Sequence, residues 1–164
     1  MDDLAQRTGY DADPQPLASY TALIGVFNAA LVGGFALLQR EHRLPERIGL
    51  ADLALLAVAT HKVSRLIAKD AVTSPLRAPF AEHGESEGSN EQSDEARGHG
   101  ARRAVGELVT CPSCVGQWAA GAFVLGLLRA PRVTRAVGSV FAVQAGSDAL
   151  HAGYVALRDR VYSS

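Results

Sequence analysis

The residues best suited to chemistry are two cysteines three positions apart. Cys111 and Cys114 stand in the run CPSC, directly ahead of a long apolar segment. Proline fits the first position of a helix, where its missing N–H would have no partner in any case. A thiol at such a helix start faces the positive end of the dipole, which favours thiolate. The pair therefore suits a redox dithiol, or half of a zinc site that needs two further ligands. His83, His99 or a second copy of CPSC could complete such a site. No βαβ pattern surrounds the motif, so a thioredoxin-like fold is not expected. The plainer alternative, of equal weight, is a pair of small residues that starts a helix. In that case the protein has no cofactor.

A second group is basic. His61, Lys62, Arg65 and Lys69 gather at the C-terminal end of an apolar segment, and Arg77 follows just past a turn. On a helix, His61, Arg65 and Lys69 share one face at i, i+4 and i+8. Clustered cations at a membrane boundary can hold an anionic lipid headgroup. Arg65 and Arg77 suit it best, because guanidinium engages phosphate with two donors. The competing role is snorkelling, with the charges setting topology. Asp52, Asp148 and His151 lie inside apolar segments, where ionisable groups are costly and pair or face a polar cavity. A structural pair of Asp148 with His151, or with a base on the second segment, explains them most simply.

No phosphate-cradling glycine loop with lysine, no HExxH and no GxSxG is present. With a net charge of −1, a dedicated nucleic-acid binder is not expected. The Arg65, Lys69 and Arg77 cluster points to a membrane scaffold or binding module rather than an enzyme. The alternative is a membrane enzyme or sensor using the CPSC thiols for redox chemistry or metal.

The elements that must position these residues are apolar. The chain has 164 residues, among them 28 alanines and 16 glycines, with only 6% aromatics. Residues 1–16 read as an exposed acidic tail, with no basic region ahead of the first apolar stretch to suggest a cleaved signal. Leu17 to Leu38 carries no charge in 22 residues, enough for a helix to cross a hydrocarbon core. From Ile48 a second helix is either a span with a basic end or a re-entrant or in-plane helix, and it must stop near Asp70, before two prolines. Residues 81–103 are rich in Glu, Gly and Ser and read as a flexible loop. Residues 104–131 and 136–157 then read as a helical hairpin around the basic turn at Arg129, Arg132 and Arg135. Gly25, Ala29 and Gly33, like Gly138, Ala142 and Gly146, form strips of small residues that favour close helix packing.

Positive charge suggests orientation. With four spans and the N-terminus inside, ten of the sixteen Lys and Arg residues are cytoplasmic. With the N-terminus outside and the second segment not crossing, twelve are. Arg40, Arg43 and Arg47, just after the first helix, favour the second scheme. Both schemes place the long loop, CPSC and the C-terminus in the cytoplasm.

The run DLALLAVATHKVSRLIAKDAVTSPLRAPF, followed by GELVTCPSCVGQW, resembles the bacterial membrane family called domain of unknown function 1360. The resemblance covers residues 48–157, in the order apolar-to-basic helix, PLRAPF turn, variable loop, C-P-x-C and apolar helices. It implies a small bacterial integral membrane protein, of the kind found in actinobacteria and spore-forming bacilli, and no established activity. The helix at 17–38 lies outside it, and residues 158–164 form a short tail. The expected fold is all-α, a small integral membrane bundle of three or four apolar helices with a disordered polar loop. Its expected partners are the bilayer, an anionic lipid, and a second copy or another membrane protein.

Overall fold

A computed structural model describes residues 16–84 and 92–162. The acidic tail, except Pro16, and the centre of the polar loop lie outside the described residues. Among the described residues the fold is all-α: α1 Leu17–Arg40, α2 Leu50–Lys69, α3 Ser74–Arg77, α4 Ala101–Thr110, α5 Pro112–Arg129 and α6 Pro131–Tyr162. A short antiparallel ladder, β1 Ala81–Glu82 with β2 Glu95–Ala96, interrupts the helices. By length and composition α1 is able to cross a membrane, and α4 with α5 meets the same criterion as one broken span.

Side-chain pairings fix the helix directions. Phe27 meets Trp118 edge-on, Gly34 lies under Leu125, and Glu41 pairs with Arg129, so α1 and α5 run parallel. Asp52 holds Arg135 through two hydrogen bonds of 2.8 Å, Gly138 abuts Leu55, and Lys62 meets Asp148 at 2.7 Å, so α2 and α6 also run parallel. The two pairs are antiparallel to one another, because α5 and α6 fold back at Ala130, where Gly126 packs against Thr134. The starts of α1 and α5 and the ends of α2 and α6 therefore share one end of the bundle, the loop end. Arg40, Leu50, Arg129 and Pro131 share the other, the turn end.

The small-residue strips need correction. Gly25, Gly33 and Gly146 face open space, with nothing near the position of a Cβ. On α1 the close approach falls one residue on, where a Cβ on Gly34 would come within 2.8 Å of Leu125; on α6 it falls at Gly138, where a Cβ would come within 3.5 Å of Leu55. A spacing of four marks a face but not which face meets a neighbour.

Arg77 organises the loop end. Its side chain is wholly buried, and Nη1 donates to the carbonyls of Ile67 (2.7 Å) and Asp70 (3.1 Å) and to Thr73 Oγ1 (2.7 Å). A helix end leaves carbonyls without partners, and a cation there is doubly favoured. Nε donates to Asp94 Oδ2 at 2.7 Å, which makes the pair a buried salt bridge. Gln92 N–H donates to the Lys69 carbonyl, and Ser74 Oγ to Gln92 Oε1. Arg97 and Arg102 reach back to the carbonyls of Ala78 and Pro79. The flexible loop expected over residues 81–103 is thus tied down on both sides of residues 85–91, because polar side chains on its far side satisfy the end of α2.

Removing one member of a buried pair leaves an uncompensated charge. Arg77→Met is expected to lower stability by about 3–5 kcal/mol in denaturant unfolding experiments. Arg77→Met combined with Asp94→Leu should recover much of that loss.

Candidate functional site

The chain changes direction by 83° between α4 and α5. Cys111 sits at the break in an extended conformation, Pro112 opens α5, and the Cys111 sulfur accepts a hydrogen bond from Cys114 N–H at 3.3 Å. Cys111 is thereby the N-cap of α5. Gly106 lets α4 press on the segment below it: a Cβ there would lie 2.5 Å from the Phe80 carbonyl oxygen and 2.9 Å from Ala96. With α4 held across the bundle, an open groove of about 480 Å³ remains between α1, α4 and α5.

The groove is lined almost wholly by carbon. Leu23, Ile24 and Phe27 come from α1, Leu108 from α4 and Trp118 from α5. The rings of Phe27 and Trp118 stand 5.2 Å apart at 65°, a favourable edge-to-face contact. Its polar groups are few. Glu107 accepts from the Tyr20 hydroxyl and pairs with Arg103 one turn earlier at 3.0 Å, so its charge is compensated. Cys114 and Gln117 also line the groove.

The sequence-derived basic group divides. Arg77 is the correction: fully buried and committed to Asp94 and helix carbonyls, it is not placed to meet a headgroup. Lys62 is mostly buried and pairs with Asp148. His61 is exposed, and Arg65 and Lys69 are half-buried at the loop end. Exposed Arg102, at the start of α4, joins them at that end. Asp52 belongs to the turn end, held by Arg135, and His151 is exposed on α6. Asp148 therefore meets a base of α2.

Both cysteines are free thiols. Among the described residues no group of three or more His, Cys, Asp or Glu side chains is placed to hold a metal ion. Sequence reasoning missed Tyr20, Glu107 and Trp118, whose roles depend on α1 lying against the α4–α5 break. It also missed Asp94, inside a segment whose composition is that of a solvated loop. The arrangement can bind an apolar group against α1, α4 and α5, with Glu107, Cys114 and Gln117 as its polar edge.

The family model for "Protein of unknown function (DUF1360)" matches residues 55–154. The Bacillus subtilis (strain 168) protein named sporulation protein YjcA is 36% identical over 76 residues, which cover 44% of this chain and 64% of that protein's length. No solved structure matches.

A hydroxyl can replace the sulfur of an N-cap. Cys111→Ser is expected to leave the unfolding midpoint nearly unchanged, whereas Cys111→Ala should cost about 1 kcal/mol. Denaturant titration of the two variants under the same conditions compares them.

Proposed function

The chain belongs to the DUF1360 family of proteins of unknown function, and from that premise we propose that it is a small bacterial integral membrane protein that binds rather than catalyses. It serves as a membrane scaffold whose basic cytoplasmic face engages anionic lipid. The observation that carries this is the open apolar groove at the α4–α5 break, with Arg102 at the start of the helix that forms its wall.

The helices support membrane placement. In α1 only Leu38 is buried, while Ile24, Val26, Val32 and Leu37 are largely exposed. α2 and α6 carry charges, but Asp52–Arg135 and Lys62–Asp148 pair them with each other across the helix contact, the usual condition for ionisable groups at membrane depth. The parallel run of α1 and α5 favours the scheme with the N-terminus and loop on one side. That places ten of the sixteen Lys and Arg residues on the cytoplasmic side. α4, turned 83° from α5, then lies along the surface with its apolar side inward, as an interfacial helix does. An acyl chain enters the groove while the headgroup meets Arg65, Lys69 and Arg102. The name of the Bacillus subtilis relative supplies a setting, sporulation, without specifying a ligand.

Trp118 is the sole tryptophan and lines the groove, so its fluorescence reports occupancy directly. In reconstituted liposomes, phosphatidylglycerol with brominated acyl chains is expected to quench Trp118 more than brominated phosphatidylcholine. The preference should be at least about fivefold, the equivalent of roughly 1 kcal/mol for each basic contact. Arg65→Gln/Arg102→Gln should reduce it severalfold. Equal quenching by both lipids would reject the anionic-lipid assignment.

A further inference from the structure

The cap of α5 uses one sulfur, and CPSC supplies two. Cys111 stands extended at the break, with φ −100° and ψ 109°, and Pro112 takes the first position of the helix. The Cys111 sulfur accepts the N–H of Cys114 at 3.3 Å, which is the whole of the cap. Nothing in that bond calls for sulfur at position 114, since only its backbone takes part. In a capping box the side chain three places on reaches back to the capping residue. Here that side chain is a second thiol, in hydrogen-bond contact with the Cys111 sulfur. Both thiols are free, Cys111 half-buried and Cys114 exposed on the wall of the groove.

Two residues three apart inside a helix hold their Cβ atoms about 5–6 Å apart, whereas a disulfide wants about 3.5–4.5 Å. Cys111 is not bound by the wider spacing, because it lies outside the helix in extended backbone. Among the described residues no third His, Cys, Asp or Glu side chain is placed to complete a metal site with the pair. We propose that Cys111 and Cys114 form a reversible disulfide, a switch at the α4–α5 break that closes by exchange with small disulfides. One thiol gives up its proton, and its sulfur attacks a disulfide RSSR, displacing one RS⁻ and leaving a mixed disulfide. The neighbouring thiol loses its own proton, attacks the chain sulfur of that mixed disulfide and displaces the second RS⁻. The chain dithiol is thereby oxidised by two electrons, and RSSR is reduced to two RSH by those electrons and the two protons. In the proposed topology the pair faces the cytoplasm, where such bonds are transient, so the dithiol is the resting form. Closure ties the residue at the break to the first turn of α5 and draws the Cys114 sulfur from the groove wall toward Cys111. The effect on the groove rests on its role in binding, whereas the exchange itself does not.

Glutathione exchange on the full chain in native membranes tests the switch. Reduced glutathione is held fixed, oxidised glutathione is varied, and the remaining thiols are trapped with maleimide and counted by mass spectrometry. Wild type is expected to lose both maleimide sites together and carry no glutathione, and dithiothreitol should restore both. Cys111→Ser, whose hydroxyl keeps the cap, and Cys114→Ser should each take up one glutathione instead. Half oxidation of the wild-type pair should need about tenfold less oxidised glutathione than half modification of either variant, because closure is intramolecular. Persistent glutathione adducts on wild type, maleimide sites that survive at every ratio, or a midpoint shared with the single variants would overturn the proposal. None of these readouts involves brominated lipid, so the lipid assignment stands or falls separately.

Discussion

The loop end depends on a single guanidinium in the protein interior. Arg77 could be buried only if its charge and donors were met, and Asp94, Thr73 and the last carbonyls of α2 meet all but Nη2, which has no partner among the described residues. That requirement draws the far side of the acidic segment back onto the end of α2. Once Asp94 is fixed, the β1–β2 ladder and the start of α4 follow within a few residues, and Gly106 lets α4 settle on Phe80 and Ala96. α4 then lies across the bundle instead of extending α5, and the apolar groove exists because of that turn. A desolvated pair of this kind is weak evidence for stability compared with an apolar core, but breaking half of it is costly. Its consequence here is conformational: it specifies where the chain turns.

The same logic recurs between the long helices. Asp52–Arg135 and Lys62–Asp148 carry opposite polarity along one contact, acid on α2 at the turn end and base on α2 toward the loop end. Sliding α6 by one turn would separate both pairs together, so the pairs fix register in an interface of alanine, glycine and leucine that would otherwise tolerate several. Asp52 and Arg135 are joined through two matched donors and acceptors, the geometry in which arginine is most selective. On α1 the constraint is steric instead. Gly34 and Gly121 admit Leu125 and Phe27, and the exposed remainder of the helix has few protein neighbours.

Much of this architecture was legible in the sequence. The helices announce themselves by apolar runs, the end of α2 by the prolines after Asp70, and the α5–α6 hairpin by Pro131 among arginines. The order of basic helix, PLRAPF turn and CPSC identifies the family. The role of Arg77 was not legible, because its partner lies 17 residues away across a segment whose average composition is that of solvated chain. Composition describes the segment as a whole, whereas one aspartate inside it decides where the arginine goes. CPSC was legible as a helix start, and Cys111 does cap α5. The groove was not, since it needs α1, outside the family's matched residues, to lie parallel to α5. The strips of small residues were correct in kind but displaced on α1, Gly34 taking the place of Gly33. Neighbouring positions on a helix differ by about 100° in direction.

In the proposed topology the loop end tied by Arg77 faces the cytoplasm and the arginine-rich turns face the other side of the membrane. Side-specific thiol labelling in intact bacteria tests it most directly, with single cysteines replacing Leu44, Arg132, His99 and Arg160 in a chain lacking Cys111 and Cys114. The expected result is reaction of Leu44→Cys and Arg132→Cys with an impermeant maleimide in intact cells, and of His99→Cys and Arg160→Cys only after permeabilisation. Labelling of Leu44→Cys and His99→Cys from the same side would contradict it.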